Sequence, residues 1–337
     1  MSTELSAQEQ RRLLRIALGS CIGFLVSKLA NWPYGVFFTV YPMLLLGMLP
    51  KFDRLIAAQF LFGAALNVVE IWLLCAFFEP YPLLMTLGVF LVYCWHFRLM
   101  ASTPYFLLGA TGLVTLSTLL HFSSYPTTNI MDMVVATGLA STLSVVSAAL
   151  LYWIIPETDP VPAPPKLNLS PSQVNHRTLM GAVLATLSFM VFQAMDLKDS
   201  LSAQVATMLV LFPMTYQGTL IAGWNRARGV ALGCALAIVV QVLMYDLIEH
   251  FLLVVLALFI TVLLTAKLHL IERAGSGMGF GALTTIGILF GQYMQPDKDI
   301  LYGSLYRFSS VLVAVAILMV FAYLLDGLLN RFALTRN

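Results

Sequence analysis

The chain has 337 residues, of which 60% are hydrophobic and only 10% charged, and its mean hydropathy is +0.88. Soluble domains carry roughly a quarter charged residues, so there is too little polar side chain here to cover a water-facing surface, and the low hydrophobicity of disordered chains is absent too. The net charge of +2 excludes nothing, but with about 20 apolar residues per crossing the length suits an all-α polytopic membrane protein of about a dozen spans.

Met1 to Gln10 is polar, and Arg11, Arg12 and Arg15 then introduce the apolar run from Ile16 to Ala30. Lys28 interrupts that run and another span follows at once, so an uncleaved first transmembrane helix is expected rather than a removed signal peptide. Apolar runs place six spans at 12–30, 34–49, 55–77, 81–97, 104–121 and 131–154. Six more follow at 178–195, 201–216, 227–246, 250–268, 277–294 and 302–329. The second and eighth are short, and are expected to tilt, re-enter or break. Between the sixes, Pro156 to Pro165 holds five prolines in ten residues, an extended spacer. The expected organisation is a six-helix repeat over 1–155, a Pro-rich linker over 156–176 and a second six-helix repeat over 177–337.

Basic residues alternate from loop to loop. On the N-terminal side lie Arg11, Arg12, Arg15, Lys51, Arg54, Arg98, Lys166, Arg177, Arg226, Arg228, Lys267, Arg273, Arg331 and Arg336. On the other side lie only Lys198 and Lys298, with Glu79, Asp196, Asp199, Asp246, Glu249, Asp297 and Asp299. The positive-inside rule then makes both termini and the linker cytoplasmic. The halves also align: Arg12 meets Arg177, Phe24 meets Phe189, Met43 meets Met208 and, after a five-residue insertion, Gly63 meets Gly233. An even number of spans makes such repeats parallel.

The four cysteines, Cys21, Cys75, Cys94 and Cys234, sit in apolar runs and read as small hydrophobes. No phosphate-binding lysine loop, zinc-binding helix, nucleophile triad or nucleic-acid pattern occurs, so no enzyme activity, metal, cofactor or nucleic-acid partner is expected. A charge inside an apolar span costs about 3 kcal/mol on insertion scales. Glu70 is the clearest case. Gln59, Gly63, Asn67 and Glu70 share one helical stripe. Either that stripe lines a pathway with Glu70 as proton carrier, or Glu70 is a structural carboxylate paired to a base.

Arg307 is expected near the outer face, where it can grip a carboxylate bidentately, pair with Glu70 or Asp132, or snorkel. Lys28, at the outer end of the first span, either snorkels or adds a second positive charge for anions. Arg226 and Arg228 open the ninth span and Arg54 the third, where they draw anions to the inner mouth or mark topology and meet lipid phosphates. His96-Phe97-Arg98 and Lys267-Leu268-His269 correspond across the halves, where the histidines either titrate or are simply interfacial. Gly275 to Gly281 opens the eleventh span. Its Gly277 and Gly279 allow either close helix packing or an unwound segment lining the pathway. Thr137, Ser141, Ser144 and Ala148 mark a helix–helix seam.

From Ser200 to Leu243 a further pattern appears. A span ends in Leu211-Phe212-Pro213, then come Gln217-Gly218-Thr219 and Arg226-Ala227-Arg228-Gly229-Val230-Ala231-Leu232-Gly233. This resembles the fusaric acid resistance (FUSC-like) family of aromatic acid exporters. Asn31-Trp32-Pro33-Tyr34 through Pro50, Arg54 and Gly63 resembles a degenerate copy. The resemblance implies a bacterial inner-membrane efflux transporter for organic, chiefly aromatic, acids, working beside a periplasmic membrane fusion protein. Distant plant relatives are anion channels. Larger members carry cytosolic domains after each six-span unit, and this sequence resembles a compact form without them. Exchange against protons is the expected energy source. The competing readings are a passive anion channel and a non-transporting scaffold of an envelope complex. A homo-oligomer is compatible with each.

Overall fold

The computed structural model describes all residues except 1–4, 50, 124, 126–128, 159–168, 196, 198–199, 248, 274, 276, 294–299 and 337. Lys166, Asp196, Lys198, Asp199, Asp297, Lys298 and Asp299, which helped to orient the chain, and most of the proline-rich segment lie outside the described residues. Among the described residues all regular structure is helical. The first half of the chain forms α1 (Ala7–Leu29), α2 (Gly35–Met43), α3 (Arg54–Phe78), α4 (Pro82–Ser102), α5 (Phe106–Ser123) and α6 (Ile130–Ile154). The second forms α7 (Pro171–Ala194), α8 (Leu201–Val210), α9 (Tyr216–Leu243), α10 (Phe251–Glu272), α11 (Met278–Tyr293) and α12 (Ile300–Leu329). A π-helical turn, Leu44–Met48, extends α2, and a 3-10 turn, Ala333–Thr335, follows α12.

This is a multi-pass helical membrane protein. Eight helices, α3 to α7, α9, α10 and α12, are long and apolar enough to cross a bilayer. α2 with its π turn, α8 and α11 fall short of a full crossing. Two of those three are the short spans expected from sequence, whereas the eleventh was expected to run its full length. α1 carries Arg12 and Arg15 within it and is not among the eight. Pro42 explains the break in α2: it has no N–H to give the carbonyl of Phe38 four residues back, and the ladder resumes as a π turn. The Leu46 and Gly47 carbonyls released there accept from the Arg12 guanidinium, and Gly47 also accepts from His269 Nε2 at 2.9 Å.

The chain forms two compact units. Unit one comprises residues 1–57, 135–163 and 225–309, and unit two comprises 58–134, 164–224 and 310–337. In unit one α1 packs on α10, α10 on α11, α11 on α2 and α2 back on α1. In unit two α7 packs on α4, α4 on α5, α5 on α8 and α8 back on α7. Each circuit therefore takes the first two helices of one half of the sequence and the fourth and fifth of the other. The short or inner helices form the cores: every residue of α8 is buried, as is nearly all of α5 and α11. The sheathing helices are apolar outside as well, as befits a lipid face. On α10, Leu252, Leu256, Ile260 and Leu264 are exposed while Val254, Leu258, Thr261 and Thr265 are buried. The small-residue face of α6, Thr137 to Ala148, is buried as expected of a seam.

Candidate functional site

In unit one the notable residue is Arg226. α9 starts at Tyr216, so Arg226 and Arg228 lie more than two turns inside the helix and do not open it as the sequence suggested. Gly229, one turn beyond Arg226, allows α9 to touch α11. A Cβ there would collide with the carbonyl of Met278 and stand 2.8 Å from the Cα of Gly281. This close approach lays Arg226, only 4% exposed, over α11, where its Nη1 donates to Thr284 Oγ1 at 2.7 Å. The threonine hydroxyl is itself fixed by donating to the Phe280 carbonyl at 3.0 Å.

Arg226 Nε and Nη2 have no hydrogen-bond partner among the described residues. These two N–H groups form one edge of the guanidinium, the edge that matches a carboxylate fork. None of the ion pairs among the described residues includes Arg226. The guanidinium of Arg307 on α12, 2% exposed, lies within charge range of Arg226, and Cys234 is in range of both. Ser304, one turn before Arg307, is buried with no partner for its hydroxyl among the described residues. Two like charges held together away from water are costly, and an anion between them relieves the cost. Arg15 is the structural contrast. It is as deeply buried, but Nη2 meets Glu157 at 3.3 Å, Nη1 donates to the Ile155 carbonyl at 3.2 Å and the Tyr152 ring lies 3.8 Å beneath, so that its charge is neutralised although Nε has no partner among the described residues.

The other expected cations are differently placed. Arg228 and Arg54 are exposed. Lys28 lies in the last turn of α1, 5.7 Å from the Phe24 ring centre, where a cation suits the helix dipole. Gly279 donates its N–H to Glu272 at 2.8 Å and abuts the backbone of His269, while Gly277 accepts the regular helical bond from Gly281. The glycine-rich stretch is thus a tight α10–α11 joint.

In unit two the stripe on α3 faces α5 and α4. Gln59 accepts the Leu108 N–H at 3.3 Å, satisfying a donor of the first turn of α5. Gly63 faces the side chains of Leu108 and Thr111. Glu70 is paired: its Oε2 lies 3.1 Å from Nε2 of His96 on α4, with side-chain exposures of 11% and 0%. His96 and His269 were expected at an interface, but both are buried. Gly112 of α5 lies against the His96 imidazole so closely that a Cβ would collide with it. Tyr93, one turn before His96, is buried and within charge range of Glu70. Asn67 Oδ1 and Nδ2, Tyr93 Oη and His96 Nδ1 have no partner among the described residues.

Sequence reasoning singled out Glu70 and Arg226 but not His96 as the partner of the first, nor Thr284 and Ser304 beside the second. Usable signals existed. His96 is the sole histidine of the helix that follows Glu70, and Gly229 and Gly281 mark where α9 and α11 touch.

Residues 178–321 match the family described as fusaric acid resistance protein-like, and residues 12–151 match the family described as protein of unknown function (DUF2955). No curated protein and no solved structure matches the chain. Arg226 and Arg307 fall in the first match, Glu70 and His96 in the second.

Proposed function

We propose that this chain, whose second half belongs to the fusaric acid resistance protein-like family, is an efflux transporter of organic acids, aromatic ones among them, and that Arg226 grips the substrate carboxylate. One observation carries this reading: a buried guanidinium keeps its bidentate edge open beside a second guanidinium. A stability role favours an acidic partner for the buried charge, such as the one Glu157 gives Arg15. An ionisable group kept open inside an apolar span points instead to a pathway for charge. Thr284 orients the fork and Arg307 adds attraction. Arg228 and Arg54, both exposed, draw anions from water, and Lys28 anchors a helix end.

Proton exchange supplies the energy in this reading, with Glu70 as the acid. The basic loops put both termini and the linker in the cytoplasm of a bacterial inner membrane. The like circuits of the two units support six-helix repeats over 1–155 and 177–337, joined by 156–176. In each half a matched glycine, Gly63 or Gly233, packs on the fifth helix of its own half. A periplasmic membrane fusion partner and a homo-oligomer rest on the family likeness alone.

The test uses the full chain in proteoliposomes with labelled benzoate. Arg226→Met is expected to abolish benzoate binding. Arg226→Lys, which keeps the charge and loses the fork, is expected to weaken it about tenfold or more, about 1.4 kcal/mol. Unchanged affinity in both variants removes Arg226 from the site. Currents far above transporter turnover, indifferent to a proton gradient, identify a passive anion channel instead.

A further inference from the structure

We propose that Asn67, Glu70, Tyr93 and His96 enclose a hydrated proton-binding site in unit two, in which Glu70 and His96 together hold one exchangeable proton. Only its use for coupling rests on the efflux reading; the site stands on unit two alone.

Asn67 and Glu70 are three residues apart on α3, as are Tyr93 and His96 on α4, so each helix presents its pair on one face. The 3.1 Å contact between Glu70 and His96 joins the two faces. Around it stand four buried polar atoms with no partner among the described residues: both ends of the Asn67 amide, the Tyr93 hydroxyl and His96 Nδ1. Folded interiors leave very few such atoms dry, and a cluster of them is the usual setting of internal water, which takes two to four hydrogen bonds. The contact of α5 with the imidazole is Gly112, which brings no charge. Trp95 stands edge-on to the ring at 4.8 Å and brings none either. The titratable groups meeting here from α3 and α4 are Glu70, His96 and Tyr93.

The proton count follows from the atoms. With one proton on the pair, Nε2–H of neutral His96 donates to the Glu70 carboxylate and the cluster carries one net negative charge. A second proton, taken from internal water, enters at Nδ1 while the Nε2 proton passes across the 3.1 Å contact to Glu70, giving carboxylic acid and neutral imidazole. The cluster is then neutral. Release returns the proton to water by the same atom. Nδ1 is the ring nitrogen without a protein partner, so water is both its ligand and its route. Tyr93 and Asn67 hold that water, and both are positioning residues.

The full chain is purified in detergent and titrated without substrate between about pH 4 and 10, a range that spans the carboxyl and imidazole groups. Infrared difference spectra are expected to contain a carboxyl band that fades as pH rises and is absent from Glu70→Gln. The midpoint of that band is expected to move by about one pH unit or more in His96→Gln, and less in Tyr93→Phe and Asn67→Leu. Because His96 is tightly packed, Tyr93→Phe and Glu70→Gln carry the test if His96→Gln misfolds. A titration identical in wild type and Glu70→Gln overturns the site, as does a midpoint unmoved by every folded variant.

Proteoliposomes with labelled benzoate separate site from use. Glu70→Gln is expected to keep benzoate–benzoate exchange and to lose gradient-driven accumulation about tenfold or more. Intact accumulation overturns the coupling role. Failure of the wild type to move benzoate overturns the substrate reading, while the spectra still decide the proton site.

Discussion

Unit one and unit two run the same helix circuit with opposite chemistry. In the register of the proposed repeats, which pairs Gly63 with Gly233, Gln59 stands where unit one has Gly229 and Thr111 where it has Gly281. Unit one closes its seam with two glycines and lays a guanidinium across it, as Arg226 reaches Thr284. Unit two fills the same places with polar side chains, and Gln59 serves the backbone of α5. The ionisable pair beside this seam is then an acid and an imidazole, Glu70 and His96, not two cations. A shared frame fixes where helices cross, whereas the residue at the crossing decides which ionisable groups the seam holds.

The sharpest way to break that comparison is an alanine at each crossing. Gly229→Ala drives a methyl into the backbone of Met278, Gly281 and Ala282, which cannot rotate away. α9 must move off α11, at a cost of about 1–3 kcal/mol, and Arg226 leaves Thr284. In Gly63→Ala the methyl meets the ends of Leu108 and Thr111 at 3.2 and 3.3 Å, which can turn aside. There the helix-propensity gain of up to about 1 kcal/mol decides, and the variant is neutral to stabilised. Unfolding midpoints in detergent measure both, and equal losses refute the distinction. Gly112→Ala is the matching test in unit two: it pushes His96 from Glu70 and is expected to cost about 1–3 kcal/mol. Ala282, its counterpart in unit one, already carries that methyl, and Ala266 stands in the register of His96.

A smaller difference lies where the first helix of each half holds the chain leaving the sixth. In unit one the holders are guanidiniums: Arg11 donates to the Pro156 carbonyl at 3.0 Å, and Arg15 grips Ile155 and Glu157. In unit two they are Asn175, which donates to the Leu334 carbonyl at 3.3 Å, and His176. Nδ1 of His176 faces the Thr335 carbonyl at 2.7 Å and Nε2 faces Asp326 at 3.2 Å. A neutral or charged ring bridges the two groups, and each bond is worth about 1 kcal/mol. His176→Ala, which removes both contacts, is therefore expected to speed hydrogen exchange at residues 329–336 and to leave residues 155–157 unchanged. Equal acceleration at both ends removes the distinction.

How much of this was legible in the sequence depends on the range of the force involved. The membrane class follows from composition, and most long spans from runs of apolar residues, because hydropathy is local. The break after α2 is local too, since Pro42 announces it. α11 reads as a full span because a buried helix and a lipid-facing one are equally apolar; only packing on α2 and α10 tells them apart. The exchange of helices between the sequence halves is purely tertiary. Glu70 and Arg226 stood out because charge is rare in such runs. His96 did not, because a histidine near a predicted helix end reads as interfacial until its neighbours are known.

The smallest predicted effect lies at the start of α3, where water reaches the groups. Asp53 caps this helix: its Oδ1 accepts the Ile56 N–H at 2.9 Å, and Lys51 Nζ lies 2.8 Å from Oδ2. The bond from Lys51 and then the one from Ile56 hold the Asp53 carboxyl below the usual aspartate range. Stability from this group is complete above the unfolded aspartate value, near 3.9, and is lost as pH falls through the lower folded value. Both side chains are more than one-third exposed, at 49% and 38%, so the ion pair adds little and the cap dominates. Asp53→Ala is expected to cost about 1 kcal/mol at neutral pH, and Lys51→Ala no more than about 0.5 kcal/mol. Unfolding midpoints at neutral pH and near pH 3 check this: the Asp53→Ala deficit should shrink in acid. A deficit as large near pH 3 as at neutral pH assigns the cost to something other than the anionic cap.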